Sequence, residues 1–154
     1  MTHHDGVPIA RVERCAVTQG SLAQDEIAEF LDELDDCKPE TAAKWLRSYL
    51  PQVATIYSFQ HLSGCDERDG DLALRAVRDH IWARGDAILQ ADAEGFSNED
   101  GYHILWQFDD AVTGPWMMAV LVDDVWVPFK TDLANRRHRQ AFLKGLVPPG
   151  AKLV

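Results

Sequence analysis

The chain has 154 residues, of which 46% are hydrophobic and 26% are charged, and it carries a formal net charge of -10. This composition is typical of a single soluble globular domain and excludes extensive disorder. No apolar run approaches the roughly 20 residues of a membrane helix, and the N-terminus lacks the apolar segment of a secretory signal. We therefore expect one cytoplasmic domain over residues 1–154 with no membrane contact. Three widely spaced cysteines, Cys15, Cys37 and Cys65, favour free thiols over disulfides.

The charge is distributed unevenly along the chain. Residues 130–154 hold six of the 15 basic residues and only one of the 25 acidic residues. Because the rest of the chain is strongly acidic and repels phosphate, we expect no nucleic acid as a partner. The basic segment has three interpretations: docking against the acidic body, a dimer contact, or a site for an anionic partner. Pairing within the molecule or between subunits is favoured, since the opposite charge is present in the same chain.

The N-terminal segment 1–20 predicts either an extended arm or an edge strand. His3 and His4 are interpreted as solvated polar residues rather than metal ligands, because they are adjacent to each other near the end of the chain. Residues 147–154, at the other end, contain two prolines and a glycine and predict an extended tail.

Two helices are predicted after the N-terminal segment. Ser21 can cap the first helix, with Gln24 completing a weak capping box. Pro39 suits the first position of the second helix, which Pro51 ends because the residue before a proline disfavours helical torsion angles.

The rest of the chain predicts strands with two more helices. A third helix begins near Asp69 or Asp71 and ends at Gly85, and a last helix runs from Thr131 or Asp132 to about Leu146. Apolar alternation or continuous apolar runs predict five strands, over residues 53–62, 87–96, 102–108, 116–122 and 125–127.

These elements predict an α+β fold: two helices, then a mostly antiparallel, curved, five-stranded sheet with a helix after its first strand, and a C-terminal helix. The order of elements is similar to the cystatin-like α+β cone, in which a curved sheet wraps helices and leaves a pocket at its open end. The C-terminal helix is an addition to that scheme. The resemblance implies a pocket and no particular chemistry.

Known catalytic motifs are absent from the sequence. It contains no GxGxxG, GxxxxGK[ST], GxSxG, HExxH or CxxC pattern. The loop beginning at Cys65 departs from the calcium-loop pattern, because Cys65 and Ala76 occupy positions that require oxygen ligands. We therefore expect no cofactor and no metal.

One hypothesis makes the protein an enzyme acting on a small ligand. His103 is the candidate base, and either Asp92 or Glu94 is its candidate orienting carboxylate, depending on the register of neighbouring strands. An aromatic wall that includes Trp106 and Tyr57 would tune the pKa of this pair.

The favoured hypothesis is a binding module without catalysis, because five tryptophans exceed what a core of this size requires. Tryptophan and tyrosine often anchor interfaces and pockets. The expected partner is an unknown small molecule or protein, and a homodimer is expected. The candidate ligand-binding residues are Tyr57, Phe59, His61, Tyr102, Trp106 and Trp116.

Overall fold

The computed structural model describes residues 1–2 and 6–154, so the expectation for His3 and His4 lies outside the described residues. It is an α+β structure with four α-helices and antiparallel sheets. The contacts divide the chain into two compact units. One comprises Met1–Glu29 and Gln52–Asp86, and the other comprises Phe30–Pro51 and Ala87–Val154.

The first unit is built on a two-stranded antiparallel sheet, formed by β1 (Ala10–Ala16) and β2 (Thr55–His61). Helix α3 (Arg68–Trp82) contributes Leu74 to a small core with Ile9 and Ala10. The strand expected over residues 53–62 is therefore present as β2. Helix α3 begins at Arg68 rather than at the predicted caps one or three residues later.

Helix α1 (Leu22–Glu33) begins as the sequence predicts. The Ser21 Oγ accepts a hydrogen bond from the Gln24 backbone N–H at 3.2 Å. In return, Gln24 Oε1 accepts one from the Gly20 N–H at 2.7 Å. These two bonds satisfy donors that the helix itself leaves free, which is the role of a capping box.

The second unit contains most of the regular structure. Strands β5 (Pro115–Val122) and β6 (Val125–Asp132) form an antiparallel hairpin, which the short strand β7 (Lys152–Leu153) extends. The hairpin turn lies at Asp123 and Asp124, between the strands predicted over residues 116–122 and 125–127. Both residues have positive φ angles, 49° and 62°, as a two-residue turn matched to strand twist requires.

The remaining elements of this unit are short. They are α2 (Glu40–Tyr49), β3 (Leu89–Ala91), β4 (Gly95–Ser97) and α4 (Arg136–Leu143). The last helix is shorter than predicted, because Thr131 and Asp132 pair with β5 as part of β6, and Asn135 provides the helix cap. Helix α2 agrees with the predicted second helix.

The prediction of one five-stranded sheet is wrong. The described strands form three separate sheets of two, two and three strands. Residues 87–96 form the β3–β4 hairpin rather than one strand, because the chain turns at Asp92 to Glu94, where Ala93 has a φ of 60°. The resemblance to a cystatin-like cone depended on a single curved sheet, so the cone is without support from this topology.

Residues 102–108 do not form a strand either, because their backbone changes partner along its length. The His103 N–H donates to Met117 O on β5 at 3.0 Å, and the Ile104 N–H donates to Phe96 O on β4 at 2.8 Å. The Trp106 N–H then donates to Lys38 O at 2.8 Å. We call Tyr102–Trp106 the crossing segment, since it joins β4, β5 and the chain before α2.

The β5–β6 hairpin has a helix on each face. Its inner face packs with α4 in a buried cluster composed of Phe108, Met118, Val120, Phe129, Leu133 and Phe142. On the other face, Trp45 of α2 makes an edge contact with Trp126 of β6, with ring centroids 5.3 Å apart. Each fully buried large apolar side chain contributes roughly 1.5–3 kcal/mol. No helix within the described residues has the length and apolar composition needed to cross a membrane.

Gly95 fixes the distance between β4 and the crossing segment. Its φ is +120°, and a Cβ at this position would lie 2.2 Å from the carbonyl oxygen of Leu105. Close to Gly95, the Gln107 N–H donates to Glu94 O at 3.0 Å, and this bond holds the two segments of the chain at this separation. A side chain at Gly95 would therefore collide with backbone atoms.

Replacement of Gly95 by alanine should lower the free energy of unfolding by about 3 kcal/mol or more, because the new Cβ meets the Leu105 carbonyl. Gly101 is the matched control. It also has a positive φ, +80°, but nothing lies within 4 Å of a Cβ placed there. Gly101→Ala should therefore cost only about 1–2 kcal/mol. Urea denaturation of both variants measures the difference, and equal losses would contradict the close approach at Gly95.

Candidate functional site

His103 lies in the interior of the second unit. Its side chain is only 2% exposed, and its ring contacts Phe108 at a centroid distance of 4.6 Å and Trp116 at 5.6 Å. The Nε2 atom has no hydrogen-bond partner among the described residues. The backbone bonds of the crossing segment to β4 and β5 place this polar ring in an aromatic environment.

Burial lowers the pKa of His103 from 6.5 to about 4, because the charged imidazolium would lose its hydration. The backbone carbonyl groups of Leu105 and Glu94 partly oppose this effect. At pH 7 the ring is therefore neutral, and a group with so low a pKa is a weak base. Among the described residues, no carboxylate raises or lowers this pKa.

The two candidate carboxylates occupy the turn between β3 and β4. Asp92 and Glu94 are both exposed, and Asp92 Oδ1 accepts a hydrogen bond from Gln90 Nε2 at 3.4 Å. Glu94 approaches the His103 ring through its backbone carbonyl rather than through its carboxylate. The structure thus places the three residues in the same region without forming a histidine–carboxylate pair.

The candidate ligand-binding residues divide between the two units. Trp106 and Trp116 both lie beside the core of the second unit, and each contacts Phe108, at centroid distances of 5.1 and 4.6 Å. Tyr102 is half-buried, and its N–H donates to Asn98 Oδ1 at 2.9 Å. The remaining three belong to β2 of the first unit: Tyr57, Phe59 and His61.

Asn98 is a buried polar residue that no sequence pattern identifies as a candidate. It is completely buried, and its Nδ2 atom has no hydrogen-bond partner among the described residues. Its Oδ1 and backbone N–H both bond to the backbone of Tyr102, at 2.9 Å each, and close the turn before the crossing segment. A turn asparagine is common enough that no sequence signal marks this one as buried.

The docking of α4 depends on Arg139. Its guanidinium donates to the carbonyls of Asp110 and Val112 at 2.7 Å each and also to that of Leu133. The same group lies 5.5 Å from the centroid of the Trp106 ring. One arginine thus binds three backbone carbonyls and an aromatic face, and its charge is used inside the fold.

The opposite side of α4 carries a different set of residues. Four residues with the spacing i, i+3, i+4, i+7 lie on one stripe of the helix: Arg137, Gln140, Ala141 and Lys144. This stripe and the chain that follows line an open groove of about 290 Å³, which we call the basic groove. Its lining residues are Arg137, Gln140, Ala141, Lys144, Leu146, Val147 and Pro149.

Three cations of this region form no ion pair within the part of the chain that the structure describes. Within residues 1–2 and 6–154, the ion pairs that the structure shows use Arg11, Arg47, Arg75 and Arg78. None of them includes Arg136, Arg137 or Lys144. For these side chains, the ion pairs of the described residues therefore give no support to docking of the basic segment against the acidic body, one of the three interpretations above.

The described part of the chain has two further kinds of candidate group, its metal-ligating side chains and the thiol of Cys37. No group of three or more His, Cys, Asp or Glu side chains there is arranged to bind a metal ion. Cys37 donates to the Glu33 carbonyl at 3.1 Å, and burial raises the pKa of its thiol. A raised pKa reduces the thiolate fraction, so Cys37 is a packed thiol rather than a nucleophile.

A comparison of the chain with protein-family models, with curated proteins and with solved structures finds no match.

The lowered pKa of His103 predicts a loss of stability in acid. In the unfolded chain the His103 imidazole binds a proton below pH 6.5, whereas in the folded chain it binds one only below about pH 4. Stability should therefore fall as the pH drops through this window, by up to roughly 3 kcal/mol. His103→Phe should remove this part of the pH dependence while keeping stability at pH 7.5 within about 1.5 kcal/mol.

Chemical denaturation at several pH values between 7.5 and 4.5 measures this effect. His80→Gln is the control, because His80 is an exposed histidine on α3. This change should not alter the slope of the free energy of unfolding against pH. An unchanged slope in His103→Phe would show that the imidazole does not resist protonation.

Arg139→Lys tests the role of the arginine in docking α4. Lysine keeps the charge but lacks the planar group that reaches three carbonyls, so the free energy of unfolding should fall by about 2 kcal/mol or more. Arg136→Lys is the matched control on the same helix. Arg136 is exposed, and the change should alter stability by less than about 0.5 kcal/mol. Similar urea midpoints for both variants would contradict the proposed difference between the two arginines.

Proposed function

We propose that this protein is a non-catalytic binding module, and that the basic groove on α4 binds an acidic, partly apolar segment of a protein partner. The observation that carries the proposal is the presence, beside apolar side chains, of cations that form no ion pair with any described residue, in a chain whose net charge is -10. A cytoplasmic setting fits the free thiols of the sequence.

The electrostatic part of the argument concerns the two cations of the groove. Arg137 and Lys144 stand two helical turns apart on the same stripe and have no carboxylate partner among the described residues. Carboxylates spaced along a partner segment can pair with both cations. Such pairing steers association and selects the partner, while each exposed pair adds little affinity.

The apolar part of the argument concerns the floor of the groove. Ala141, Leu146 and Val147 lie between and beside the cations, and Leu146 is 57% exposed. Burial of this surface by a leucine or an aromatic side chain supplies the affinity that the exposed ion pairs lack. A partner with both carboxylates and apolar side chains therefore fits this groove better than a purely acidic one.

Nucleic acid is the competing anionic partner. The 24 acidic residues outside residues 130–154 generate a repulsive field for a phosphate backbone, and the groove presents few cations. A peptide can match the short spacing between Arg137 and Lys144 without bringing further negative charge close to the acidic surface.

A small-ligand enzyme remains the alternative, supported by two buried polar atoms, His103 Nε2 and Asn98 Nδ2, that have no hydrogen-bond partner among the described residues. Buried polar atoms without partners are uncommon and can mark a site for water or a ligand. The burial of His103 and the exposure of Asp92 and Glu94 favour the binding module.

Fluorescence anisotropy with a short labelled peptide of alternating glutamate and leucine pairs tests the proposed function. The chain should bind this peptide, and the affinity should fall about tenfold or more in the double variant Arg137→Glu, Lys144→Glu. Added salt should weaken binding, because the cations are exposed.

Three controls decide the result. A matched peptide with glutamine in place of glutamate should bind weakly, which shows that charge matters. The double variant Lys44→Glu, Arg84→Glu carries the same change in net charge at exposed positions outside the groove, and it should retain most of the affinity. Binding of a DNA oligonucleotide in preference to the peptide would reject the acidic segment as the partner.

A further inference from the structure

We propose that the free edge of β2 pairs with the β2 edge of a second copy of this chain, forming a twofold homodimer with a continuous β1–β2–β2–β1 sheet. This surface lies in the first unit and does not involve the basic groove. The proposal therefore stands apart from the proposed function.

One edge of β2 has no strand partner. The hydrogen bonds from Val17 N–H to Ala54 O and from Leu62 N–H to Ile9 O show that even-numbered residues direct their backbone groups towards β1. In a strand, the backbone groups of successive residues point to opposite sides. Thr55, Tyr57, Phe59 and His61 therefore direct their N–H and C=O groups away from β1, and among the described residues no further strand pairs with them.

The composition of β2 leaves this edge unprotected. Natural sheets guard their edges with charged side chains, prolines or bulges. The seven residues of β2, TIYSFQH, contain no acidic or basic side chain other than a terminal histidine and no proline. The partner strand β1 carries Arg11, Glu13 and Arg14, and the Met1 ammonium caps the Ala10 carbonyl at 2.9 Å. The two edges of this ribbon thus differ in protection.

A second copy fits this edge because β2 is complementary to itself. A twofold axis through Ser58 aligns all seven residues of β2 with those of the second copy in antiparallel order. The four outward-directed residues then form hydrogen-bonded pairs: Tyr57 with Phe59 and Thr55 with His61 of the other chain. The aromatic pair occurs twice, once on each side of the axis, and such cross-strand pairs stabilise sheets.

The charge of the chain predicts how salt affects this dimer. Two copies with a net charge of -10 repel each other, while β2 contributes no charge to the contact. Added salt screens this repulsion and should strengthen the dimer. Peptide binding at the basic groove should respond to salt in the opposite direction, so the two surfaces can be distinguished in one set of buffers.

Sedimentation velocity tests the proposal by measuring the solution mass of the full chain. The variants place a charged side chain at the proposed twofold axis. Ser58 is exposed and would face Ser58 of the second copy. Since Glu13 is directly opposite Ser58 on β1, Glu13→Gln is used as the common background. The background should sediment as a dimer, of twice 17.3 kDa.

Adding Ser58→Lys alone, or Ser58→Asp alone, should raise the dimer Kd about tenfold or more, because like charges meet at the axis. An equimolar mixture of the two variants should restore a dimer containing one copy of each, which misfolded chains could not do. Thr113→Lys, an exposed loop change of the same charge, should remain dimeric.

Three results would overturn the proposal. The first is a background chain that stays monomeric at all concentrations and salt levels. The second is dimerisation that persists in both single variants. The third is a mixture of the variants that remains monomeric although each variant keeps the circular dichroism and thermal transition of the background chain.

Discussion

The second unit depends on the backbone hydrogen bonds of the crossing segment. Within Tyr102–Trp106, the backbone of His103 bonds to β5, that of Ile104 bonds to β4, and that of Trp106 bonds to the chain before α2. These bonds satisfy backbone groups of buried or half-buried residues, and they connect the segment to three parts of the chain. This segment lies so close to β4 that the Leu105 carbonyl leaves no room for a Cβ at Gly95. His103 is held in this arrangement by its backbone bond to β5, and its ring packs against Phe108 and Trp116.

The same segment shows why sequence patterns identified most elements and not their pairing. Alternation in Tyr102, Ile104, Trp106 and Phe108 is typical of a strand, and these residues are indeed half-buried or buried. The intervening residues His103 and Leu105 are buried as well, so the alternation did not mark a single buried face, and it carries no information on the hydrogen-bond partner. Partner changes at His103, Ile104 and Trp106 therefore break the expected strand into isolated bridges. By contrast, the hairpin turn at Asp123 and Asp124 and the cap at Ser21 depend on local chemistry, which the sequence does contain.

The positive charge of the basic groove could be predicted from the sequence, but the geometry of the groove could not. The excess of basic residues after position 129 is visible in the sequence, and it led to three interpretations for the last helix. Only the structure separates Arg139, whose guanidinium binds backbone carbonyls, from Arg137, whose side chain lines an open groove. The helical period alone places these two residues about 200° apart around α4, so one must face inward when the other faces outward. It does not say which one, because that depends on where Trp106 and the loop at Asp110 lie.

The two proposed surfaces differ in the interactions that would stabilise a contact on each of them. The basic groove presents exposed cations and a shallow apolar floor, a combination suited to a reversible, salt-sensitive contact with an acidic segment. The β2 edge presents backbone donors and acceptors without charge, so a contact there depends on strand pairing and on aromatic side chains. Each surface belongs to a different unit, and occupation of one requires no group of the other. A dimer joined through β2 would therefore present two basic grooves. If a partner carried two acidic segments that could span both grooves, binding at the second would follow at a high effective concentration without any new contact in either groove.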